Sequence, residues 1–267
     1  MKIFGILNVT ADSFSDGGKY LAPEAAIAHA LALARDGADI IDVGAASSNP
    51  DAGAVAPDVE IARLAAVIPA LKAKGFSLSI DSFATPVQRW ALEQGVEYLN
   101  DIHGFADTAL YPALAASPAK LIVMHAIQAR GVATREDVPP DQIMDRIFQF
   151  FDVRLPELEN AGIARERLIL DPGMGFFLGT NPQTSLTVLD RLPELAQRYG
   201  LPLLVSVSRK SFLRALVDND ETWLESMGAA TEALAVSQGG ADYIRTHAPA
   251  ALRHGLKGLE SLGKTAR

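Results

Sequence analysis

A short apolar run that ends in polar residues, followed by a helical pattern, recurs eight times along this chain. The first run, residues 3–7, breaks at Asn8 into a segment rich in Asp, Ser, Thr and Gly. The next segment, residues 22–35, has apolar residues at the i, i+3, i+4, i+7 spacing of one helical face. Strands that alternate with helices in this way predict a parallel sheet with the helices packed outside it.

The eight predicted strands are short and almost purely apolar, as expected for strands that are covered on both faces. They span residues 3–7, 39–43, 76–80, 96–99, 120–124, 168–170, 203–207 and 242–244. No linker-like shift in composition separates them, so we expect a single domain, residues 1–267, with the α/β architecture of a (β/α)8 TIM barrel. A doubly wound open sheet is the alternative, but it needs a glycine-rich dinucleotide turn that the sequence lacks.

Local signals predict where several connecting helices begin and end. Asp58 is expected to cap a helix that Pro69 kinks and that closes near Gly75. Another helix is expected to begin at Asn181 and to stop near Gly200. The polar connection over residues 130–140 is expected to form a mobile loop over the strand ends.

Composition excludes several classes of function. The net charge of −8 argues against non-specific nucleic-acid binding, which needs clustered Lys and Arg. The absence of cysteine excludes disulfides, thiolate catalysis and Cys-ligated metals. The first strand begins at residue 3, which leaves no room for a signal peptide, and no apolar run approaches the roughly 18 residues of a membrane span. We therefore expect a soluble, cytoplasmic protein that binds neither nucleic acid nor membrane.

Polar side chains follow the predicted strands, and the carboxyl ends of barrel strands surround one cavity. Any one of these side chains could simply end a strand or form a turn. Together they predict a single polar site. They are Asn8, Ser48, Asp81, Asn100, His125, Asp171, Lys210, Arg245 and His247.

Arg245 and His247 suggest an anion clamp. They are two residues apart and therefore point to the same side of an extended strand. With Asn8 and Ser48 they could hold a phosphate or diphosphate, and the Asn8 oxygen could hold Mg²⁺ beside it. The alternative is that Arg245 pairs with a buried Asp as part of the barrel scaffold.

The remaining strand-end groups suit a polar heterocycle. Asp81, Asn100 and Asp171 offer carboxylate and amide edges to a flat ring with several N–H and C=O groups. The carboxylates could instead form a general acid/base pair, or accept hydrogen bonds from loop N–H groups. Lys210 could form a Schiff base, donate to a ring carbonyl, or lie against the ring. His125 is more typical of a packed residue than of a catalyst.

Seven segments together resemble the dihydropteroate synthase family, and the similarity covers essentially the whole chain. They are Asn8-Val9-Thr10 with residues 12–18, Ser79-Ile80-Asp81-Ser82, Asn100-Asp101-Ile102, Val123-Met124-His125, Leu170-Asp171-Pro172-Gly173, Ser208-Arg209-Lys210-Ser211 and Arg245-Thr246-His247. The resemblance implies an enzyme of folate synthesis that joins 6-hydroxymethyl-7,8-dihydropterin diphosphate to 4-aminobenzoate and releases diphosphate. It also implies a homodimer that forms through outer helices.

The resemblance assigns a role to each matching residue. It implies that diphosphate leaves first and that the amine then attacks a pterin-stabilised cation, so no strong base is needed. Carboxylates suit that cation, and an anion clamp suits the leaving group. The resemblance implies that the pterin is held by Asp81, Asn100, Asp171 and Lys210. It implies that the diphosphate, with Mg²⁺, is held by Asn8, Ser48, Arg245 and His247, and that the aminobenzoate is held by Ser211 and the loop near Pro50. The residues expected to act in catalysis are Asp81, Lys210, Arg245 and His247.

The departures from the family pattern lie on the aminobenzoate side, whereas the pterin residues are intact. The family usually has Pro in place of Ala11, Thr-Arg-Pro in place of residues 48–50, Gly-Lys in place of residues 177–178 and Asp in place of Ala248. This pattern resembles the sulfonamide-insensitive members of the family. We hypothesise that Phe177, at the mouth of the site, excludes the bulk of a sulfonamide while admitting aminobenzoate. The alternative is that Phe177 merely packs under a loop.

Three other functions fit parts of the pattern. A methyltransferase of the methyltetrahydrofolate type would share the pterin pocket and would bind a corrinoid partner. A barrel aldolase would use Lys210 as a Schiff base. A non-catalytic pterin binder is favoured only by the changed loop at Ser48 and Asn49.

Overall fold

Eight parallel strands form one sheet in the computed structural model, which describes residues 1–10, 23–48, 51, 53–128, 131–218, 220–238 and 240–263. The strands are β1 (Lys2–Asn8), β2 (Ile40–Gly44), β3 (Leu78–Asp81), β4 (Tyr98–Asp101), β5 (Lys120–Met124), β6 (Leu168–Asp171), β7 (Leu204–Val205) and β8 (Tyr243–Thr246). Their order is β6-β5-β4-β3-β2-β1-β8-β7, and a bridge between Leu170 and Leu203 joins the two ends. The predicted (β/α)8 TIM barrel is therefore confirmed.

Helices cover the outside of the sheet, and proline in the first turn begins many of them because its fixed φ suits that position. They are α1 (Pro23–Arg35), α2 (Pro57–Ala65), α3 (Ile68–Ala73), α4 (Thr85–Glu93), α5 (Tyr111–Ala116), α6 (Ile143–Asn160), α7 (Pro182–Asp190), α8 (Leu192–Tyr199), α9 (Ser211–Leu216), α10 (Glu221–Ser237) and α11 (Pro249–Ser261). Among the described residues, none of these helices has the length and apolarity to cross a bilayer.

Two predicted helices are each interrupted in the structure. The helix expected from Asp58 to Gly75 divides into α2 and α3, and its N-cap is Ala56 rather than Asp58. The helix expected from Asn181 to Gly200 divides into α7 and α8 at Arg191, although both of its ends are where the sequence predicts them. In both cases a proline in the first turn of the second helix cannot donate to the preceding turn, so the chain breaks there.

The strand predicted over residues 203–207 is shorter in the structure, and a helix that the sequence did not reveal follows it. Only Leu204 and Val205 pair with β8, and the chain then turns through Arg209 at a φ of 59° into α9. This early turn brings Lys210 and Ser211 back over the barrel.

Side chains that point into the barrel change from apolar to polar along the strands. A buried cluster fills the amino-terminal half, and within it the Phe4 ring meets the rings of Tyr98 and Tyr243 edge to face at centroid distances of 5.2 and 5.7 Å. Two residues further along, the same inward face carries a polar group on five of the seven strands of this cluster, whereas β1 and β5 carry Ile6 and Met124 there. The apolar cluster contains Phe4, Ile40, Tyr98, Ile122, Ile169, Leu204 and Tyr243, and the polar layer above it contains Asp42, Asn100, Asp171, Ser206 and Arg245.

Glu232 of α10 is only 1% exposed, and burial raises its pKa to about 8. An unfolded Glu ionises near pH 4.5, so the unfolded chain releases this proton first and the fold loses stability as pH rises from about 4.5 to 8. We therefore expect Glu232→Gln to raise Tm relative to wild type by at least about 5 °C more at pH 8 than at pH 5. Thermal unfolding at both values tests this, with the exposed Glu225→Gln of the same helix as control. An equal shift at both pH values would contradict it.

Candidate functional site

A cavity of about 650 Å³ opens at the carboxyl ends of the strands, and most of the predicted site residues line it. Asn100 and Asp171 lie deeper, at 3% and 2% exposure, and Asn100 pairs in register with Asp81 on the neighbouring strand. Pro50 lies outside the described residues, as does the segment 11–18. The predicted residues that line the cavity are Asn8, Ser48, Asp81, Phe177, Lys210, Ser211, Arg245 and His247.

Arg245 lies between two carboxylates in the barrel interior. Its Nε donates to Oδ2 of Asp42 at 2.5 Å, and its Nη2 donates to Oδ2 of Asp81 at 2.6 Å. The scaffold alternative for Arg245 is therefore realised, while the 13% of its side chain that stays exposed faces the cavity. Asp42 was missed by the sequence analysis. A lone carboxylate in an apolar strand was the signal, because a buried charge requires a partner.

The groups predicted to hold a heterocycle share a buried, charged environment. Burial raises the pKa of Asp81 to about 6, with Arg245 opposing the shift, and burial also raises the pKa of Asp171 to about 6. Gly173 N donates to Asp171 Oδ1 at 2.8 Å, which fixes that carboxylate. The Asn100 Oδ1 atom is buried and has no hydrogen-bond partner among the described residues. This set therefore presents acceptors that a ligand with several N–H groups would satisfy.

Lys210 connects the charged set to an aromatic wall. Its Nζ lies 4.7 Å from the centroid of the Phe177 ring. Burial and the nearby Arg245 lower the pKa of Lys210 to about 8, and the carboxylates of Asp171 and Asp81 limit that shift. The amine thus lies against an aromatic ring, close enough to two carboxylates to feel their charge, and it is in a position to donate a hydrogen bond into the cavity.

His247 is neutral near pH 7 and hydrogen-bonds to Ser208. Burial lowers the pKa of His247 to about 3, with the charges of Arg209 and Arg245 acting in the same direction. His247 N donates to Ser208 Oγ at 3.2 Å, and that hydroxyl lies 3.0 Å from His247 Nδ1. If the hydroxyl donates to Nδ1, the proton of the neutral ring is on Nε2. His247 then offers an N–H donor, rather than a positive charge, to an anion.

His125 is a packed residue, as the sequence analysis favoured. It is 3% exposed, its Nδ1 lies 3.0 Å from the carbonyl oxygen of Pro172, and its ring meets Phe150 edge to face. Burial lowers the pKa of His125 to about 4. Gly173 is needed beside it, because a Cβ there would lie 2.4 Å from the His125 carbonyl oxygen and the φ is +78°.

Phe177 is buried in a cluster with Ile102, Met124 and Ala133 and is 5% exposed. Phe177 lines the cavity beside Lys210 and also packs under the loop that contains Ala133. The sequence analysis treated a place in the site and packing under a loop as alternatives, and the structure shows both. The neighbouring Phe176 is half-buried and more exposed than Phe177. The ring nearer to solvent is therefore Phe176.

The described part of the polar connection after β5 lies over the strand ends, as predicted. Ala133 N donates to the Ser48 carbonyl oxygen at 3.1 Å. Arg135 contacts Asp51 at 2.5 Å, and its guanidinium lies 5.7 Å from the centroid of the Phe176 ring. This connection therefore joins the loop after β2 to the aromatic turn after β6.

Within the described residues, no three His, Cys, Asp or Glu side chains form a group that could hold a metal ion. The exposed Asn8 side chain at the end of β1 can supply one oxygen ligand. Mg²⁺ commonly binds through one or two protein oxygens together with substrate phosphates, so Asn8 fits a Mg²⁺ ion that arrives with a phosphorylated ligand.

Comparison with known proteins identifies the family. Residues 4–247 match the family described as "Pterin binding enzyme". The chain is 58% identical over 267 residues to dihydropteroate synthase type-2 of Escherichia coli, covering 99% of this chain and 97% of that protein. It is 49% identical over 262 residues to dihydropteroate synthase type-3 of Escherichia coli, covering 98% and 99%.

Solved structures agree. Xanthomonas albilineans dihydropteroate synthase with 4-aminobenzoic acid has a TM-score of 0.88 and 33% identity, covering 98% of this chain and 93% of that one. The same enzyme in complex with 7,8-dihydropteroate has a TM-score of 0.83 and 32% identity, with the same coverage. The chain therefore belongs to the pterin-binding enzymes and, within them, to the dihydropteroate synthases. The predicted transferase function is confirmed, and the three alternative functions are set aside.

Removing the Arg245 guanidinium is expected to destabilise the barrel, because two buried carboxylates lose their partner. We expect Arg245→Gln to lower the free energy of unfolding by about 3–5 kcal/mol. Adding Asp42→Asn removes one of the two carboxylates that are left without a partner, so the double variant should recover part of the lost free energy of unfolding. Urea denaturation at pH 7 measures both effects. A double variant as unstable as the sum of the two single variants would contradict the pairing.

Proposed function

We propose that this chain condenses 6-hydroxymethyl-7,8-dihydropterin diphosphate with 4-aminobenzoate to give 7,8-dihydropteroate and diphosphate. The observation that carries the proposal is that one cavity is lined by the Asp81 carboxylate, an arginine–histidine pair and an aromatic wall, with the buried acceptor Asn100 beside Asp81 on the neighbouring strand. Relatives of the same fold have been solved with 4-aminobenzoic acid, with 7,8-dihydropteroate and with 6-hydroxymethylpterin-monophosphate. Each of these ligands corresponds to a part of the proposed reaction.

The pterin is proposed to bind the deep, acidic half of the cavity. The unpartnered Asn100 Oδ1 and the Asp171 carboxylate accept hydrogen bonds from ring N–H and amino groups. Lys210 donates to a ring heteroatom. Asp81 accepts a hydrogen bond from the ring beside Lys210, while its Oδ2 atom accepts a hydrogen bond from Arg245. The buried acceptors are therefore satisfied when the ring is bound.

The diphosphate is proposed to bind beside the pterin, at the ends of β1, β2 and β8. Arg245 uses only some of its five N–H groups on Asp42 and Asp81, which leaves others for phosphate oxygens. His247 donates through Nε2, and Asn8 and Ser48 complete this subsite. A Mg²⁺ ion held by Asn8 and the phosphate oxygens would supply positive charge next to the leaving group.

The proposed reaction begins with the loss of diphosphate from the pterin. The bond between the pterin methylene carbon and the diphosphate oxygen breaks, and its electron pair leaves with diphosphate. Asp81 and Asp171 are proposed to stabilise the positive charge that develops on the pterin, and the N–H groups of Arg245 that its two carboxylate partners leave free are proposed to stabilise the leaving diphosphate. The aminobenzoate nitrogen then bonds to the methylene carbon and releases a proton to solvent. Ser211 and the loop near Pro50 are proposed to position this second substrate.

We further propose that residues 1–267 form one pterin-binding domain and that the protein is a homodimer through its outer helices. The family match across residues 4–247 and the near-complete coverage of the relatives support the single domain. The homodimer is inferred from the family resemblance.

Turnover is the direct test of the proposed reaction. The purified protein, given the pterin diphosphate, 4-aminobenzoate and Mg²⁺, should form 7,8-dihydropteroate, and chelating Mg²⁺ with EDTA should reduce the rate because the leaving group loses its counter-charge. Product is measured chromatographically. A folded protein that binds the pterin diphosphate but forms no 7,8-dihydropteroate would contradict the proposed reaction.

Sulfonamide insensitivity is proposed to depend on Phe177. The Phe177 ring fills the cavity wall beside Lys210, so replacing it with Gly opens space for a group bulkier than a carboxylate. We expect Phe177→Gly to lower the inhibition constant of sulfamethoxazole at least about 10-fold, a change of about 1.4 kcal/mol. Phe83→Gly is the control, because it removes a ring that packs against the same buried cluster without lining the cavity, and it should leave the inhibition constant within about twofold of wild type. An unchanged inhibition constant in a folded Phe177→Gly variant would contradict the proposed role of Phe177.

A further inference from the structure

A buried polar cluster lies behind the acceptors Asp81 and Asn100, between the sheet and helix α4. Ser82 and Asp101 each come one residue after an acceptor, and because side chains alternate along a strand they belong to the opposite face. Both are buried, and neither lines the cavity. The Ser82 N–H donates to the Asn100 carbonyl oxygen at 3.1 Å, which continues the pairing of β3 and β4 by one residue. The ends of these two strands therefore meet in this cluster.

Gln88 of α4 joins the two strand ends. Its Nε2 atom donates to the Ser82 carbonyl oxygen and to Oδ2 of Asp101, each at 2.8 Å, so both amide hydrogens are used. Val87 and Ala91 of the same helix are buried in the apolar core, and Gln88 is buried beside them. A buried amide among apolar side chains is costly unless it is hydrogen-bonded. The two hydrogen bonds therefore account for a glutamine on this face of α4.

Asp101 also holds the turn that follows β4. Its Oδ1 accepts from the His103 N–H at 2.7 Å, and its Oδ2 accepts from the Phe105 N–H at 3.1 Å. Phe105 is buried and has a φ of 60°, a conformation that costs a bulky residue free energy and persists only where its surroundings enforce it. Asp101 is thus tied to the turn of its own strand, and Gln88 ties it to the end of β3.

We propose that Gln88 is a positioning residue for the pterin, because it fixes the spacing of Asp81 and Asn100 by joining the segments that follow them. This assignment rests on the proposed function. Asp81 and Asn100 lie in register, and the pairing of β3 with β4 covers only three pairs of residues. A ring that donates to both acceptors needs them at one separation, because hydrogen bonds require donor–acceptor distances of about 2.7–3.2 Å. Gln88 therefore acts on the pterin without touching it.

Contacts on the cavity side hold only one of the two acceptors. Arg245 Nη2 donates to Asp81 Oδ2 at 2.6 Å, whereas Asn100 Oδ1 has no hydrogen-bond partner within the part of the chain that the structure describes. The link between the acceptors is therefore made behind the cavity, through the Ser82 backbone and the Gln88 amide.

The test removes the hydrogen-bond donors of Gln88 while keeping the size of its side chain. Gln88→Met should raise the Kd of 6-hydroxymethylpterin, measured by isothermal titration calorimetry, at least about fivefold, equivalent to about 1 kcal/mol. The KM for the pterin diphosphate should rise with it, while the KM for 4-aminobenzoate should stay within about twofold of wild type. Gln88→Asn keeps the amide on a shorter side chain and should lie between wild type and Gln88→Met. It carries the test if Gln88→Met does not fold.

Val87→Ala is the matched control. It removes packing atoms from the neighbouring buried residue of α4 but no hydrogen bond at the strand ends. It should lower Tm by leaving space in the core, and it should leave the Kd of 6-hydroxymethylpterin within about twofold of wild type. Thermal unfolding of every variant separates a loss of stability from a loss of affinity.

Three results would overturn the inference. An unchanged Kd in folded Gln88→Met means that Asp81 and Asn100 keep their spacing without the amide. An equal rise in Kd for Val87→Ala means that the packing of α4, rather than its hydrogen bonds, controls the pocket. An equal rise in the KM of both substrates means that the whole site loosens. A wild-type protein that does not bind 6-hydroxymethylpterin is a separate result, and it would overturn the proposed function itself.

Discussion

The pairing of Arg245 with Asp42 and Asp81 is the interaction on which the rest of this site depends. It ties β8 to β2 and β3 immediately above the apolar cluster that fills the barrel. Charges at that depth are stable only when they are paired and hydrogen-bonded. The arginine therefore allows two carboxylates to remain inside the barrel, and it orients Asp81 toward the cavity.

The shifted pKa values around the cavity share one cause, which is burial above that apolar layer. Carboxyl pKa values near 6, a lysine pKa near 8 and a histidine pKa near 3 all reflect the cost of holding charge on buried side chains. Fixed charges in such surroundings act more strongly than they would in solvent. A reaction that separates a pterin cation from a diphosphate anion gains from this arrangement without needing a strong base.

Strand alternation and strand-end chemistry were predictable because each depends on local sequence. Arg245 and His247 line one cavity as their two-residue spacing implies. The partner of Arg245 was not predictable in the same way, since Asp42 lies some 200 residues away in sequence and meets it only when the barrel closes. The shortening of β7 and the start of α9 were missed because a turn at Arg209, not an apolar pattern, decides them.

The departures from the family pattern do not stay on the aminobenzoate side of the cavity. The Phe177 ring supports the Lys210 amine, while Gly175, two residues earlier, brings the same turn against Ser211. One short segment thus contacts Lys210, which is proposed to bind the pterin, and Ser211, which is proposed to bind the aminobenzoate. The Phe177 ring therefore lines the cavity and also packs against the Lys210 amine. The proposed discrimination against a bulky drug and the proposed pterin contact of Lys210 are therefore coupled through this turn.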